Sequence, residues 1–170
     1  MRAISLIFLA LLAASCASAQ PAASTTTTSS LSSSTDQQQA EVLAVVNRLW
    51  EAMRTNDSTM ARSVFDSTAQ LARIVDRDGQ RFVRWQRLDG FVTALGSAKE
   101  PWIERMYAPE VRIDGNLASV WTWYDFSVGG QVSHCGYDSI ELAKLLTGWK
   151  IIYIADTQHR TGCDKPPVSR

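Results

Sequence analysis

The hydrophobic positions between residues 42 and 53 recur at intervals of three and four, which is the spacing of one face of an α-helix. They are Val42, Val45, Val46, Leu49, Trp50 and Met53. Asp36 with Gln39, or Thr35 with Gln38, can form a capping box at the start of such a helix. The pattern therefore predicts a helix that begins near Asp36. A second, shorter helix follows, capped by Asp57 or Ser58 and carrying Met60, Val64 and Phe65.

After Phe65 the apolar residues follow strand patterns separated by turn residues. The predicted elements are strands over residues 70–75 and 80–85, a short helix over 89–95, and strands over 102–107, 111–113, 117–128, 132–145 and 149–157. Asp114 and Gly115 between two apolar runs are a hairpin signal. Two helices, a short hairpin, a helix and a meander of antiparallel strands together predict an α+β fold, with helices packed on one face of a curved antiparallel sheet.

The strand over residues 117–128 is apolar on both of its faces. One alternating set contains Val120, Tyr124 and Phe126, and the other contains Leu117, Trp121 and Trp123. Helices can cover one face of the sheet, and the second face also needs an apolar cover. A second copy of the chain is the natural cover, so we predict a homodimer.

The N-terminal residues have the pattern of an export signal. Arg2 precedes an apolar run that ends at Ala14, and residues 17–19 (Ala-Ser-Ala) have the form of a cleavage site. We therefore predict a signal peptide over residues 1–19 and a periplasmic or secreted protein. In an alternative reading, residues 12–16 (Leu-Ala-Ala-Ser-Cys) resemble a lipobox, and Cys16 would become a lipid anchor.

The remaining chain divides into a linker, one domain and a short tail. Eleven of the thirteen residues from Ser24 to Asp36 are Ser or Thr, and such a segment has almost nothing apolar to bury. We predict a disordered linker over residues 20–35, a single domain over 36–163 and a tail over 164–170. No later apolar run is long enough to span a membrane.

Charge and residue spacing argue against several classes of function. The chain has 17 basic and 17 acidic residues, and loss of residues 1–19 removes only Arg2, which leaves 16 against 17 and a net charge of −1. This balance gives no basic surface for nucleic acid. Only two histidines are present, without a metal-ligand spacing, and there is no phosphate-binding glycine loop. No metal and no cofactor are expected.

Three segments of the chain resemble nuclear transport factor 2-like proteins. The first is residues 49–53 (Leu-Trp-Glu-Ala-Met) with Asn56, Asp57 and the apolar helix up to Phe65, and the second is the hairpin over 111–121. Residues 134–138 (His-Cys-Gly-Tyr-Asp), with Leu142 and residues 148–151, resemble the last two strands of the lumazine-binding-like group, which is close to the polyketide-cyclase-like (SnoaL-like) proteins. The resemblance covers nearly all of residues 36–163. It implies a cone-shaped sheet with a small-molecule cavity at its open end.

The resemblance does not bring a known set of catalytic residues with it. Ketosteroid isomerases of this superfamily use a tyrosine donor where this chain has Leu49. Their base falls at Ile74, with Asp76 only nearby. Four other polar residues on the predicted strands could face the cavity and act as acids or bases: Tyr124, His134, Asp138 and Asp156. The alternative is that these residues satisfy strand ends and the rim of the sheet.

Aromatic residues are the remaining feature that indicates a ligand. Five residues are candidates for lining an apolar pocket: Trp50, Met53, Trp102, Tyr124 and Tyr137. Strand alternation allows only one of the two sets of strand residues to face inward. The sequence favours a non-catalytic binder of a small apolar or aromatic molecule. The alternatives are an acid–base enzyme acting on a ring-containing substrate and a structural or interaction domain.

The cysteines predict one disulfide. Cys16 leaves with the signal peptide or is lipidated, so Cys135 and Cys163 remain as a pair in an oxidising compartment. Cys135 begins the next-to-last strand, and the hairpin near Gly148 places residues 158–159 beside it. A short turn after these residues could bring Cys163 close to Cys135.

Overall fold

A computed structural model describes residues 27–77 and 79–164 of the chain, with side chains described from Ser34 onward. The predicted signal peptide, Cys16 and residues 20–26 of the predicted linker lie outside the described residues, as do residues 165–170 of the predicted tail. Within the described part, no helix is both long and apolar enough to cross a membrane.

The described residues form three helices: α1 (Thr27–Arg54), α2 (Ser58–Val64) and α3 (Leu88–Gly96). The helix α1 begins well before Asp36, so residues 27–35 are helical rather than the disordered linker that their composition predicts. The predicted capping box at Asp36 lies inside this helix. Once the apolar face of residues 42–53 has formed a helix, each further residue adds a backbone hydrogen bond, so the helix can extend into a polar segment.

In the part of the chain that the structure describes, six strands form one curved, open sheet: β1 (Phe65–Arg77), β2 (Gln80–Arg87), β3 (Trp102–Asp114), β4 (Leu117–Val128), β5 (Gln131–Leu145) and β6 (Gly148–Thr157). Their order in the sheet is β2-β1-β6-β5-β4-β3. The strands β1 and β6 run parallel, so the sheet is mixed and the prediction of a wholly antiparallel sheet is wrong in this pair. Residue alternation predicts strands and faces, and it does not encode the direction of a partner some eighty residues away.

The two segments predicted as separate strands, over 102–107 and 111–113, belong to the single strand β3. Ala108 has a φ of 46° and precedes Pro109. The register with β4 shifts between Tyr107 and Glu110, which is the local irregularity of a bulge. The bulge bends the strand without ending it. Its turn-like residues explain why the sequence pattern predicts two strands where the structure has one.

The core lies between the three helices and the inner face of the sheet. The face of α1 that carries Val42, Val46 and Leu49 is buried, as the periodicity predicts. On β4, Val120 and Tyr124 are buried on the inner face, and Trp121 on the other face is 47% exposed. The inner set is therefore the one that contains Val120, Tyr124 and Phe126.

The predicted disulfide between Cys135 and Cys163 is present, with a Cα–Cα distance of 5.5 Å. The amide of Cys135 donates to the carbonyl of His159 at 2.9 Å, and the amide of His159 donates back to Cys135 at 2.7 Å. The disulfide and this bridge fix the segment after β6 beside the start of β5.

Candidate functional site

A cavity of about 470 Å³ lies between the helices and the inner face of the sheet. On the helix side its wall is formed by Leu49, Trp50 and Met53 of α1 and by Phe91 of α3. These positions face the sheet because they continue the buried helical faces that build the core. The helices therefore supply an apolar wall.

The sheet supplies a second apolar wall, which is partly aromatic. Its members are Leu71, Trp102, Phe126, Val128 and Ile154. The ring centroids of Phe91 and Trp102 are 6.2 Å apart, and those of Trp102 and Phe126 are 6.1 Å apart. Contacting aromatic side chains of this kind make a rigid apolar lining, which suits a flat ligand.

A row of charged residues crosses four neighbouring strands of the cavity floor. Arg84 of β2 pairs in register with Arg73 of β1, Arg73 pairs with Asp156 of β6, and Asp156 pairs with Asp138 of β5. Residues directly opposite in neighbouring strands share a face of the sheet. The row therefore runs from two guanidinium groups at the β2 edge to two carboxyl groups in the interior.

The carboxyl group of Glu104 on β3 is in hydrogen-bonding contact with that of Asp138. Asp138 is 2% exposed, and its buried Oδ2 has no conventional donor among the described residues. Two carboxyl groups can hydrogen-bond to each other only when one of them carries a proton. Glu104 is less buried than Asp138 and also lines the cavity, so it presents this shared proton to the interior of the cavity.

Burial raises the pKa values of both members of this pair. The pKa of Glu104 lies well above its ordinary value, because burial and repulsion by Asp138 both disfavour its charged form. Burial raises the pKa of Asp138 to about 8, although the hydrogen bond from Glu104 opposes the shift. At neutral pH the pair therefore retains a proton that ordinary carboxyl groups would release.

Asp156 is held in a different environment from that pair. Arg73 Nε lies 3.2 Å from Asp156 Oδ2. The single hydroxyl hydrogen of Tyr124 is shared between the same carboxylate oxygen, 3.2 Å from Oη, and the carbonyl oxygen of Thr157, 3.0 Å from Oη. Burial raises the pKa of Asp156, and the charge and hydrogen bond of Arg73 oppose that rise. These contacts favour the carboxylate form of Asp156.

His134 stands on the wall of the cavity as a neutral imidazole. Burial lowers its pKa to about 4, and the positive charges of Arg73 and Arg160 contribute to the shift. The amide nitrogen of Gln158 lies 2.8 Å from Nε2, and Ser133 Oγ lies 3.1 Å from Nδ1. With the Gln158 amide in this orientation, Nε2 accepts and Nδ1 carries the proton.

The cavity brings together most of the residues that the sequence singles out. Tyr124, His134, Asp138 and Asp156 line it, and so do Trp50, Met53 and Trp102. Tyr137 does not, because it pairs in register with Trp123 on the outer face of the sheet and stacks on Trp121 with ring centroids 5.0 Å apart. The expectation that Tyr137 lines the cavity is therefore wrong. Because side chains alternate along β5, Tyr137 and the neighbouring Asp138 lie on opposite faces of the sheet.

Sequence reasoning missed four polar residues of the cavity: Glu104, Arg73, Arg84 and Gln86. Glu104 lies between Trp102 and Met106 at the two-residue spacing of a strand, so it is a carboxyl group on an otherwise apolar face. That pattern could have identified it. Arg84 gives no comparable signal, since all residues of β2 are exposed. Within the described ranges, no group of three or more His, Cys, Asp or Glu residues is arranged to hold a metal ion.

The fold matches solved structures of one class. An NTF2-like protein of unknown function from Shewanella baltica is 19% identical with a TM-score of 0.55, covering 72% of this chain and 94% of that one. An NTF2-like protein from Cytophaga hutchinsonii is 13% identical with a TM-score of 0.60, covering 72% and 98%. A candidate dehydratase of the NTF2-like family from Streptomyces avermitilis is 13% identical with a TM-score of 0.57, covering 74% and 98%.

These similarities define the class of fold. The chain is an α+β protein in which a curved, open sheet encloses a cavity against three helices. Its fold is the NTF2-like fold, which is also described as cystatin-like. Neither a protein-family model nor a curated protein sequence matches the chain. Many activities share this scaffold, so the residues of the cavity, and not the fold, determine the function.

Proposed function

We propose that the protein binds a small, mostly apolar, ring-containing molecule in this cavity and catalyses proton transfer on it. The observation that carries the proposal is the Glu104–Asp138 carboxyl pair, which holds a proton beneath apolar and aromatic walls. The sequence favours binding without catalysis. The structure adds Glu104 to the cavity, and this acid–base group favours catalysis over binding alone.

Glu104 is the proposed general acid. A general acid has to keep its proton at the working pH, and burial beside Asp138 raises the pKa of Glu104 well above its ordinary value. Asp138 is less accessible than Glu104, so it acts as a positioning residue that keeps the proton on its neighbour. A ligand oxygen that enters the cavity would accept a hydrogen bond from Glu104.

Asp156 is the proposed base. Its carboxylate is favoured by Arg73 and by the hydroxyl of Tyr124, whereas the proton of the carboxyl pair is favoured by burial. Burial raises the pKa of Asp156 as well, and Arg73 and Tyr124 offset part of that rise. One carboxyl group beside a cation and another kept protonated by burial form a recurrent acid–base arrangement.

With a ketone as ligand, the proposed step is enolisation. Asp156 takes a proton from the carbon next to the carbonyl, and the C–H bonding pair becomes the new C=C bond. The carbonyl π pair moves to oxygen, which receives the proton of Glu104. In the reverse step Asp156, after exchanging its proton with water, protonates the carbon, and the enol proton returns to Glu104. The net result is exchange of that carbon-bound hydrogen with water.

The experiment uses 1-tetralone, a flat two-ring ketone, as the probe. We expect it to quench tryptophan fluorescence, because Trp50 and Trp102 line the cavity. We also expect the protein to accelerate deuterium uptake at the carbon next to the carbonyl in D₂O, followed by NMR. Glu104→Gln should reduce the exchange rate by roughly 10²-fold or more and leave quenching in place. Trp50→Ala should weaken the quenching.

Glu110→Gln is the matched control, because Glu110 is an exposed glutamate on the same strand. It should change neither quenching nor exchange. Quenching without accelerated exchange would contradict catalysis and would support the alternative of a non-catalytic binding protein. Absence of both, together with a cavity filled by the protein's own side chains in a crystal, would leave the structural or interaction domain.

We further propose that the protein is exported and acts as a homodimer. The leader-like pattern of residues 1–19 and the Cys135–Cys163 disulfide support export. The aromatic residues on the outer face of the sheet support a dimer.

A further inference from the structure

Two guanidinium groups face each other on the side of the cavity formed by the edge strand. The edge strand β2 is exposed along its whole length, so the cavity meets solvent beside it. Arg84 of this strand and Arg73 of β1 face each other directly in the antiparallel pair, and both line the cavity. Like charges in this relation destabilise a sheet unless an anion lies between or beside them.

Among the described residues, one carboxylate is in direct contact with these two guanidinium groups. Asp156 lies opposite Arg73 on its other side, and Asp156 Oδ2 contacts Arg73 Nε at 3.2 Å. Among the described residues, no acceptor binds the terminal nitrogens of Arg73 or any nitrogen of Arg84. Arg160 adds a further positive charge close enough to influence His134. The guanidinium of Arg84 therefore has no contacting anion among the described residues.

We propose that the ligand of this cavity carries a carboxylate, which binds between Arg73 and Arg84 at the mouth while the rings occupy the apolar interior. This inference rests on the proposed function, and it adds the chemical class of the ligand. The planar guanidinium matches a carboxylate with two parallel hydrogen bonds. Arg84 and Asp138 are three strand spacings apart, roughly 14 Å, so one molecule can reach from the guanidinium groups to the carboxyl pair.

The test compares 2-naphthoate with 2-naphthamide, which has the same rings and no charge. Binding is followed by tryptophan fluorescence at pH 7 and low salt. We expect 2-naphthoate to bind several-fold more tightly than 2-naphthamide. Arg84→Gln should weaken binding of 2-naphthoate by roughly threefold to fivefold, the range for a partly exposed ion pair, and leave 2-naphthamide unchanged. Added salt should weaken only the binding of 2-naphthoate.

Two further variants serve as controls. Arg84→Lys retains the charge and should keep the preference for 2-naphthoate. Arg112→Gln removes an exposed arginine on β3 that does not line this cavity, so it should change neither affinity. Arg84 has no side-chain partner among the described residues, and its loss should not unfold the protein. Circular dichroism of each variant checks this.

The outcomes separate this inference from the proposed function. Equal affinities for the two probes, or an equal effect of Arg84→Gln on both, would overturn the carboxylate assignment and leave the cavity as a binding site. An Arg84-dependent preference for 2-naphthoate, combined with no accelerated exchange on 1-tetralone, would retain the carboxylate site and remove the proposed catalysis. Failure of all three probes to quench would remove both.

Discussion

Asp138 binds a proton in the folded protein that the unfolded chain would release. Burial raises its pKa from 3.8 to about 8. The stability linked to this proton is fully present below about pH 4 and is lost as the pH rises through about 8. His134 acts in the opposite sense, since burial lowers its pKa from 6.5 to about 4. Above pH 6.5 His134 is largely neutral in both the folded and the unfolded chain. The change of stability with pH in this range therefore reports the carboxyl pair.

The free energy of unfolding should fall as the pH rises from 6.5 to 8.5. Its steepest slope should be about 1.4 kcal/mol per pH unit for each proton involved. Asp138→Asn should reduce the slope, and the double variant with Glu104→Gln should remove most of it. Urea denaturation at several pH values measures this, with Glu110→Gln as the exposed control. An equal slope in the wild type and the double variant would contradict the buried protonated pair.

Single residues in this cavity were predictable only where the sequence marked them by type and strand position. Asp138 and Asp156 are carboxyl groups on apolar strands, and both line the cavity. Tyr137 was misplaced because the face of β5 was unknown, and an error of one residue moves a side chain to the opposite face. Arg73 and Arg84 become neighbours only through the pairing register of β1 with β2, which no local sequence pattern encodes.

At the scale of elements, the segment after β6 depends on one covalent link. The Cys135–Cys163 disulfide closes a sequence separation of 28 residues and holds His159 against the start of β5. Gln158, the neighbour of His159, contacts the His134 ring on the cavity wall. The disulfide therefore links the C-terminal segment to one side of the cavity.

Removal of the disulfide should lower stability without removing the fold. Cys135→Ser with Cys163→Ser should reduce the free energy of unfolding by about 2–4 kcal/mol, because the unfolded chain regains its freedom. Urea denaturation with and without a reductant measures the change. Thiol labelling of the unfolded, unreduced chain should modify neither cysteine, as located by peptide mass. Two labelled cysteines would rule the disulfide out.

The existence and order of the elements were largely predictable, because long apolar runs of period two or 3.6 carry that information. The strand β4 occupies the predicted range, and the turn at Asp114 and Gly115 separates it from β3. Two features depended on distant contacts: the parallel pairing of β1 with β6 and the continuity of β3 through Ala108. The start of α1 at Thr27 was not predicted, because the Ser/Thr-rich composition of residues 27–35 is typical of a disordered linker and gives no sign that the helix extends into it.

At the scale of the whole molecule, the outer face of the sheet is strongly aromatic. Trp121 stacks on Tyr137, and Tyr107 meets Trp123 with ring centroids 5.1 Å apart. Trp121 nevertheless remains 47% exposed. We expect this face to bury itself against a second copy, so that light scattering at micromolar concentration gives the mass of a dimer.

Trp121→Glu should convert that dimer to a monomer, because it would bury a charge in an apolar contact. Leu146→Glu is the control, since Leu146 is a fully exposed apolar residue in the turn between β5 and β6. A monomeric wild type, or a Trp121→Glu variant with unchanged mass and stability, would count against the dimer.

Export predicts a defined N-terminus. Intact-mass analysis of the secreted or periplasmic protein should give a chain that begins at Gln20. A diacylglycerol mass on Cys16 would contradict cleavage before Gln20 and would support a lipid-anchored protein.

We propose that Glu104 and Asp138 share a proton inside the cavity at neutral pH. The most direct measurement is a pH titration of their side-chain carboxyl carbons by NMR, with Glu104→Gln and Asp138→Asn used to assign the signals. We expect the pair to remain singly or doubly protonated at pH 7, with Asp138 titrating near pH 8 and Glu104 well above its usual range. Titration of both carboxyl groups near pH 4, as in exposed side chains, would contradict the claim.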